Sequence, residues 1–394
     1  MAEFIMVACD LHDKSMLLKI ARGREAAEKL SIQNTVAGRQ RLIEQLRARA
    51  GQTPAGQVIF AYEASGLGFG LYDELTAAGI ECHVLAPTKI ARSTQQRQQK
   101  TDEKDAELIL QLLRGHVLAG NPLPTVWIPD AETRDNRELV RARLDAAEKA
   151  VAIKTQIQSL LKRHRLSRPT ELKSAWTKKA AAWLRTLSRD PAVGAGTRGA
   201  LASLVRQWEF LEEELKRLDE LVGELAAAPR YSTMVAELVK LTGVGVLTAL
   251  VFLTEMGDLT RFTNRRQISA YLGLVPRSYE SGEANDRKGH ITRQGSSRLR
   301  RTLCQAVWPR IREHGPDHAS YQQLVERNPK HKKIAVVAIM RRLGVRMWHK
   351  AHDAAANTAL TECGPPHPRR CATGKETAAP HQAAKNQIPA ELCR

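Results

Sequence analysis

The chain is 394 residues long and strongly basic, with 61 Lys and Arg against 42 Asp and Glu and a formal net charge of +19. Positive charge spread along the whole chain favours polyanionic partners, nucleic acid first among them, while an aromatic content of 5% argues against binding single strands by rows of stacked rings. Six cysteines without C-x-x-C spacing read as reduced thiols rather than a disulfide framework, no apolar run approaches the ~20 residues of a membrane span, and the N-terminus lacks the pattern of a secretory signal, so a soluble cytoplasmic protein is expected.

Residues 1–125 alternate strand and helix signals. Short apolar runs predict strands at 4–9, 16–21, 58–62 and 81–85, and helical periodicity predicts helices at 36–49, 67–78 and about 102–118. Strands first, then strand and helix in alternation, predict a mixed sheet flanked by helices. Pro122, Pro124 and Pro129 mark an extended exit from this domain. From 126 to 230 the texture is long, charged and helical. Leu201, Leu204, Trp208, Leu211, Leu215, Leu218, Val222 and Leu225 step by three and four, a heptad seam with Glu212, Glu213, Glu214, Lys216 and Arg217 on its solvated faces. Val140, Leu144, Ala147 and Val151 begin a similar seam upstream, and the stretch from Pro191 to Gly199 reads as the turn between two arms. Such a seam fits an antiparallel hairpin within one chain or a contact between two copies; the free apolar edge of a protruding arm inclines the reading towards a homo-oligomer. Residues 231–355 read as a compact, mostly helical domain. Residues 359–394, rich in Pro, Ala, Gly, His and Lys, read as a disordered tail. The expected fold class is α/β followed by all-α.

Four acids carry the chemical argument. Asp10 closes the first apolar run, Glu63 closes the run Val58-Ile59-Phe60-Ala61-Tyr62, and Asp102 and Asp105 open the third helix, three residues apart and so on one face. Strand ends in α/β sheets project into the crevice where ligands bind. Carboxylates gathered at one point repel one another unless a hard cation such as Mg²⁺ or Mn²⁺ lies between them, and two such ions ~3.5–4 Å apart are the usual device for breaking phosphodiesters. A ribonuclease-H-like nuclease needs acids in these places. Any one of the four alone reads as an ordinary acid, and Asp102 in particular fits a helix cap or a dipole-favoured position. Lys100 and Lys104, flanking it, are placed as phosphate-binding groups.

Further on, Gly243-Val244-Gly245 lies between two apolar helical stretches. That is the form of a helix-hairpin-helix turn, whose backbone N–H groups hold a phosphate. A plain tight turn fits equally well, and the basic residues that follow, Arg265, Arg266, Arg277 and Arg298, favour phosphate. From Leu272 to Gly295 the small residues and glycines imply a loop approached closely by another backbone. Arg277, Arg287, Lys288, Arg293, Arg298, Arg300 and Arg301 crowd this region and are suited to neutralising phosphates. By residue chemistry alone, Ser281 there is a turn serine rather than a nucleophile.

Taken in order, these motifs resemble the DEDD-type transposases of bacterial insertion sequences, insertion-sequence family one-ten. The resemblance covers about residues 4–352. It rests on the Asp10 strand end, Tyr62-Glu63-Ala64-Ser65-Gly66, Lys100-Thr101-Asp102-x-x-Asp105-Ala106, Trp127-Ile128-Pro129-Asp130 and Arg137-x-Leu139-x-Arg141-x-Arg143. It continues through Gly243-Val244-Gly245, the loop from Gly273-Leu274-Val275-Pro276 to Ser281-Gly282, and Gly289-x-Ile291-Thr292-Arg293-x-Gly295. It implies a RuvC-like N-terminal domain of ribonuclease-H fold, a coiled-coil region and a C-terminal transposase domain carrying an essential serine. It further implies that Asp10, Glu63, Asp102 and Asp105 bind metal, and that Ser281, with Ser278 as rival, is the serine. Some members of the family are guided by an element-encoded bridge RNA, so DNA and a structured guide RNA are the implied partners and the bacterial nucleoid the implied location. The first motif departs from the family: Cys9-Asp10-Leu11-His12-Asp13-Lys14 stands where many relatives have Ile-Asp-Val and a small polar residue before Lys. Asp13 is then the residue expected to confuse a mutational test of Asp10.

The implied activity is Mg²⁺-dependent cutting and rejoining of DNA. Two rivals stay open: a resolvase-like nuclease that uses water and forms no covalent intermediate, and a catalytically inert nucleic-acid-binding scaffold.

Overall fold

The computed structural model describes residues 4–51, 57–91, 101–278 and 288–362. The chain divides into two compact units, the first ending at Ala131 and the second beginning at Glu132.

The first unit is built on a five-stranded sheet. Strands β1 (Ile5–Leu11), β2 (Ser15–Arg22) and β3 (Glu28–Gln33) are followed by helix α1 (Val36–Gly51), β4 (Val58–Glu63), α2 (Gly70–Ala77), β5 (Glu81–Leu85) and α3 (Asp102–Ala119). The sheet order is β3-β2-β1-β4-β5. The first three strands form an antiparallel meander, and β4 and β5 add on in parallel. The four predicted strands and three predicted helices all form. β3 was not anticipated: only Leu30 and Ile32 turn inward, and even they are only partly buried, so this edge strand carries too short an alternation to stand out.

Side chains of β1 and β4 alternate between two cores, as the two-residue period of a strand dictates. Ile5, Val7 and Cys9 with Val58, Phe60 and Tyr62 face one way, packed with Leu42 and Leu46 of α1 and Leu71 and Leu75 of α2. Met6 and Ala8 with Ile59 and Ala61 face the other way, packed with Ile109, Leu110 and Leu113 of α3. Each of those three α3 side chains is at most 1% exposed, a burial worth ~1.5–3 kcal/mol apiece. This packing fixes the roll of α3 on the sheet. After α3 the chain returns extended along β5, with Val126 N–H donating to Val84 O at 2.8 Å, as the three prolines anticipated.

The second unit opens with a helical hairpin. Helices α4 (Ala131–Arg163) and α6 (Ala195–Ala227) each have 33 residues, and the short helix α5 (Lys178–Leu187) lies in the connection between them. The two long helices run antiparallel within one chain. At one end Val140 packs with Val222 and Ala226; at the other Ile157 and Leu160 pack with Leu201, Val205 and Trp208. Arg143 pairs with Asp219 at 2.6 Å and Lys154 with Glu212 at 2.7 Å. The reversal spans residues 164–194 rather than Pro191 to Gly199, because Gly196 and Gly199 already lie within α6.

Helices α7 (Ser232–Leu238), α8 (Val246–Met256), α9 (Arg265–Tyr271), α10 (Ser297–Ile311), α11 (His318–Arg327) and α12 (Lys332–Glu362) follow, with a two-stranded ribbon of β6 (Pro276–Ser278) and β7 (Lys288–Ile291) between α9 and α10. Their core includes Leu250, Phe252, Leu303, Ile339, Leu343 and Met347 and is continuous with the base of the hairpin. A buried ion pair ties it together: Arg310 donates to Asp317 at 2.6 Å, and the two side chains are 3% and 2% exposed.

Candidate active site

The alternation that builds the two cores also aims the acids. Asp10 continues the series Met6, Ala8 on β1, and Glu63 continues Ile59, Ala61 on β4, so both point to the face that α3 covers. Cys9 pairs with Tyr62 in the parallel ladder, which sets Asp10 and Glu63 at the carboxyl ends of adjacent strands. A slip of one residue in that register would turn an acid to the opposite face.

Helix α3 supplies the other two acids. Thr101 is its N-cap, its side chain accepting from Lys104 N–H at 3.3 Å. The cap is therefore Thr101, and capping does not explain Asp102. Asp105 lies with Ala106 and Ile109 on the buried side of the helix and is 8% exposed. Glu103, between them, ties the helix to the sheet, pairing with Lys19 at 3.0 Å and Lys29 at 2.7 Å, and the Lys29 and Lys19 ammonium groups hold its carboxyl below the usual range.

At the focus, the ligand atoms of Asp10, His12 and Asp102 all lie within 4.8 Å of one another. His12 Nε2 is 3.0 Å from Asp10 Oδ2 and 3.4 Å from Asp102 Oδ1. Burial pushes the Asp10 carboxyl up, the nearby Asp102 and Asp105 carboxylates add to the rise, and His12 opposes it. An acid whose neighbours' charges raise its proton affinity is one that a bound cation relieves. Two carboxylates and an imidazole at this spacing fit a divalent ion, Mg²⁺ by the oxygens, with Mn²⁺ also accommodated by the imidazole.

Sequence reading missed His12 and singled out Asp13 in the same departure from the family pattern. Asp13 is exposed and outside the converging set. A ligand-type residue two positions beyond a strand-end acid, at a tight β1–β2 turn, was the available signal.

In the second unit, Gly243 has φ +81°, and a Cβ there would meet Ala306 O at 2.1 Å. Its need is close packing against α10. Gly245 begins α8 with open space around its Cα, so that end of the turn is accessible. Gly273 has φ +66° and a Cβ there would strike Gln294 O at 2.2 Å, the close backbone approach anticipated for this loop. Arg300 donates to Gln294 O at 2.6 Å and Gly295 O at 3.1 Å, pinning the same loop. Arg298 pairs with Asp145 at 2.9 Å and Arg301 with Glu148, joining α10 to α4. The run Arg298, Arg300, Arg301 thus has partners inside the chain. The Arg137, Arg141, Arg143 motif does too: Arg137 donates to Thr254 O at 2.7 Å and Arg141 pairs with Glu255 at 3.0 Å. Arg277 is exposed on β6, and Arg293 adopts φ +55° beside the Gly273 loop. Lys100, Ser281 and Arg287 lie outside the described residues, as do the side chains of Ser278 and Lys288 and the tail beyond 362.

A five-stranded sheet of this order in an α/β first unit, followed by a mostly helical second unit, is the fold of a ribonuclease-H-like DEDD transposase. Residues 7–165 match a DEDD transposase family model, and residues 235–323 match that of the IS116/IS110/IS902 transposase family. A Sinorhizobium fredii protein designated a transposase, y4qE, is 34% identical over 272 residues, covering 69% of this chain and 62% of its own length. A second from that organism, y4rJ, is 31% identical over 328 residues, covering 77% of this chain and 78% of its own. The transposase for insertion sequence element IS1533 of Leptospira borgpetersenii is 25% identical over 307 residues, covering 77% and 84%. The chain belongs to the IS110 family of insertion-sequence transposases. Among its described residues, no helix is long and apolar enough to cross a membrane.

Proposed function

We propose that this chain is a DNA recombinase of an insertion sequence, which cuts and rejoins strands with a carboxylate site in the first unit and a nucleophilic serine, Ser281, in the second. The single observation that carries the reading is the convergence of Asp10, His12 and Asp102, with Asp105 beside them, at the end of the central strand. Asp10, Glu63, Asp102 and Asp105, with His12, would hold divalent cations, Mg²⁺ or Mn²⁺. Such ions supply charge neutralisation at the scissile phosphate and ease deprotonation of a hydroxyl. His12 holds the Asp10 carboxylate in place. The Ser281 hydroxyl passes its proton to water, and its oxygen attacks phosphorus. The bond from phosphorus to the departing strand's oxygen breaks, and that oxygen takes a proton to become a free hydroxyl end. Attack by the hydroxyl end of another strand on the phosphoserine reverses these steps and rejoins the DNA.

Phosphate contacts in this reading come from Lys100, Lys104, the turn at Gly243 and Gly245, which is open at its Gly245 end, Arg277, Arg287, Lys288 and Arg293. Arg298, Arg300 and Arg301 contribute by exchanging their internal partners for DNA. A structured guide RNA is a further partner, in keeping with the +19 charge. Homo-oligomerisation through the hairpin is supported by Phe210 and Val151, 63% and 62% exposed; Val151, which the heptad pattern assigned to the seam, lies off it because Ala150 takes the buried position. The three-part division at 1–125, 126–230 and 231–355 belongs to the same reading.

The test is covalent trapping on a DNA substrate, with the adduct resolved under denaturing conditions. The unmutated chain and Ser278→Ala should yield a protein–DNA adduct, and Ser281→Ala should yield none while still binding DNA. An adduct in Ser281→Ala, or its loss in Ser278→Ala alone, overturns the assignment. Cleavage without any adduct selects the water-using nuclease, and absence of all cation-dependent cleavage selects the inert scaffold.

A further inference from the structure

Helices α9 and α12 flank an open cleft of about 800 Å³ in the second unit, lined by five arginines: Arg265, Arg266, Arg341, Arg342 and Arg346. No acid is found among the described residues that line it. The rest of its lining is small or apolar: Ser269, Ala270, Val275 and Val345. Core packing sets the arrangement. Ile268 and Leu272 anchor α9 in the same core as Leu343 and Met347 of α12, and Gly344 lets α12 approach so closely that a Cβ there would lie 2.5 Å from Leu272 Cδ1. The arginines of both helices are thereby brought to line one cleft.

Cations gathered in this way normally recruit carboxylates from their own chain. Here, among the described residues, Arg346 alone has one, Asp317 at 3.0 Å, and Asp317 is already engaged by Arg310. Arg265, Arg266, Arg341 and Arg342 are exposed and make no ion pair among the described residues. Four guanidinium groups with no ion pair among the described residues, beside a cleft large enough for a ligand (~300–1,000 Å³ is usual), create a strongly attractive field for an anion. Their placement says which anion. The four come as two adjacent pairs, Arg265–Arg266 on α9 and Arg341–Arg342 on α12, so the cations are divided between the two helices that line the cleft rather than gathered on one. Two such pairs suit a polyanion with more than one phosphate, since each guanidinium can engage phosphate oxygens bidentately.

We infer that the α9–α12 cleft binds the phosphodiester backbone of a nucleic-acid strand. The inference rests on the reading of the chain as a nucleic-acid-processing enzyme, and extends it by naming a binding site on the second unit.

The test compares the full chain with Arg265→Gln/Arg266→Gln and with Arg341→Gln/Arg342→Gln. Arg346 is left intact because removing it strips a partner from buried Asp317. Binding of duplex DNA, single-stranded DNA and single-stranded RNA, each of roughly 30 nucleotides, is followed by fluorescence anisotropy between about 50 and 200 mM salt. Each double variant should lose about tenfold in affinity, and its salt slope should fall by about one per lost contact. The strand most affected identifies the occupant. A charge-matched control, Lys178→Gln/Lys179→Gln on α5, should change much less. Unchanged affinity and slope in both cleft variants overturn the site, as does an equal loss in the control, which would mark a diffuse field. If the unmutated chain binds none of the three strands, the recombinase reading falls with it, whereas binding that survives in the variants overturns the cleft alone.

Discussion

His12 Nε2 lies 3.0 Å from Asp10 Oδ2, two residues back along the same chain. A second contact to Asp102 Oδ1 at 3.4 Å makes the imidazole a bridge between the end of β1 and the start of α3. Imidazole binds transition ions more readily than it binds Mg²⁺. His12→Ala is therefore expected to weaken Mn²⁺ binding by about tenfold while changing Mg²⁺ binding much less. Calorimetric titration of both ions into the purified chain reads this directly. Equal losses for the two ions would mean that His12 only positions Asp10.

Loss of any one of Asp10, Glu63, Asp102 and Asp105 to Ala should lower DNA cleavage and joining by about a thousandfold or more, since each removes several kcal/mol of charge stabilisation from the transition state. Melting temperature should stay close to that of the unmutated chain for Asp102, which is exposed. Recombination near the unmutated rate in any one variant removes that residue from the site. Glu63 is the most informative, because its membership rests on strand register and face rather than on a measured ligand distance.

The Asp10 carboxyl is raised by burial and by its acidic neighbours. A carboxyl with a higher pKa folded than unfolded contributes stability below the ordinary value of ~3.9, and that contribution is lost as pH rises through the folded value. At neutral pH, with chelator present, the ionised Asp10 thus costs stability. Asp10→Asn should melt at or above the unmutated chain there, with the difference shrinking on acidification through the carboxylate range. Added Mn²⁺ should reverse the order, because the ion stabilises only the ionised site. A lower melting point for Asp10→Asn in chelator at neutral pH contradicts the electrostatic account.

Asp317 accepts from Arg310 at 2.6 Å and from Arg346 at 3.0 Å while only 2% exposed. Truncating one member of a buried pair leaves the other charge uncompensated, a cost of ~3–5 kcal/mol. Asp317→Ala should destabilise the second unit by that amount in chemical denaturation, with the first unit unaffected. A change below about 1 kcal/mol, the range of exposed pairs, would mean that water enters to solvate Arg310.

The sequence by itself determined the elements and the faces of the first unit. Alternation along Ile5–Asp10 and Val58–Glu63 fixes which side chains share a side, because the strand period is two whatever the surroundings, and that is enough to put Asp10 and Glu63 on one face. The spacing of Asp102 and Asp105 similarly fixes a helix face. The family motifs added the order of the parts. Edge strand β3 escaped because its two inward residues, Leu30 and Ile32, make too short a pattern.

Tertiary structure decided what depends on which surfaces meet. A heptad seam is the same whether its partner is another chain or the next helix; the pairing of Arg143 with Asp219 and Lys154 with Glu212 shows that here the next helix fills it. A basic run reads alike whether its charges face phosphate or protein, and only packing of α10 beside α4 gives Arg298 and Arg301 their internal carboxylates. Conversely, Arg265 and Arg266 lie some way along the chain from Arg341 and Arg342, and nothing in their spacing joins them. They line one cleft because Ile268, Leu272, Leu343 and Met347 share a core. Local periodicity sets the direction of a side chain, but its partner is set by long-range packing, which the linear order of residues does not encode in any short pattern.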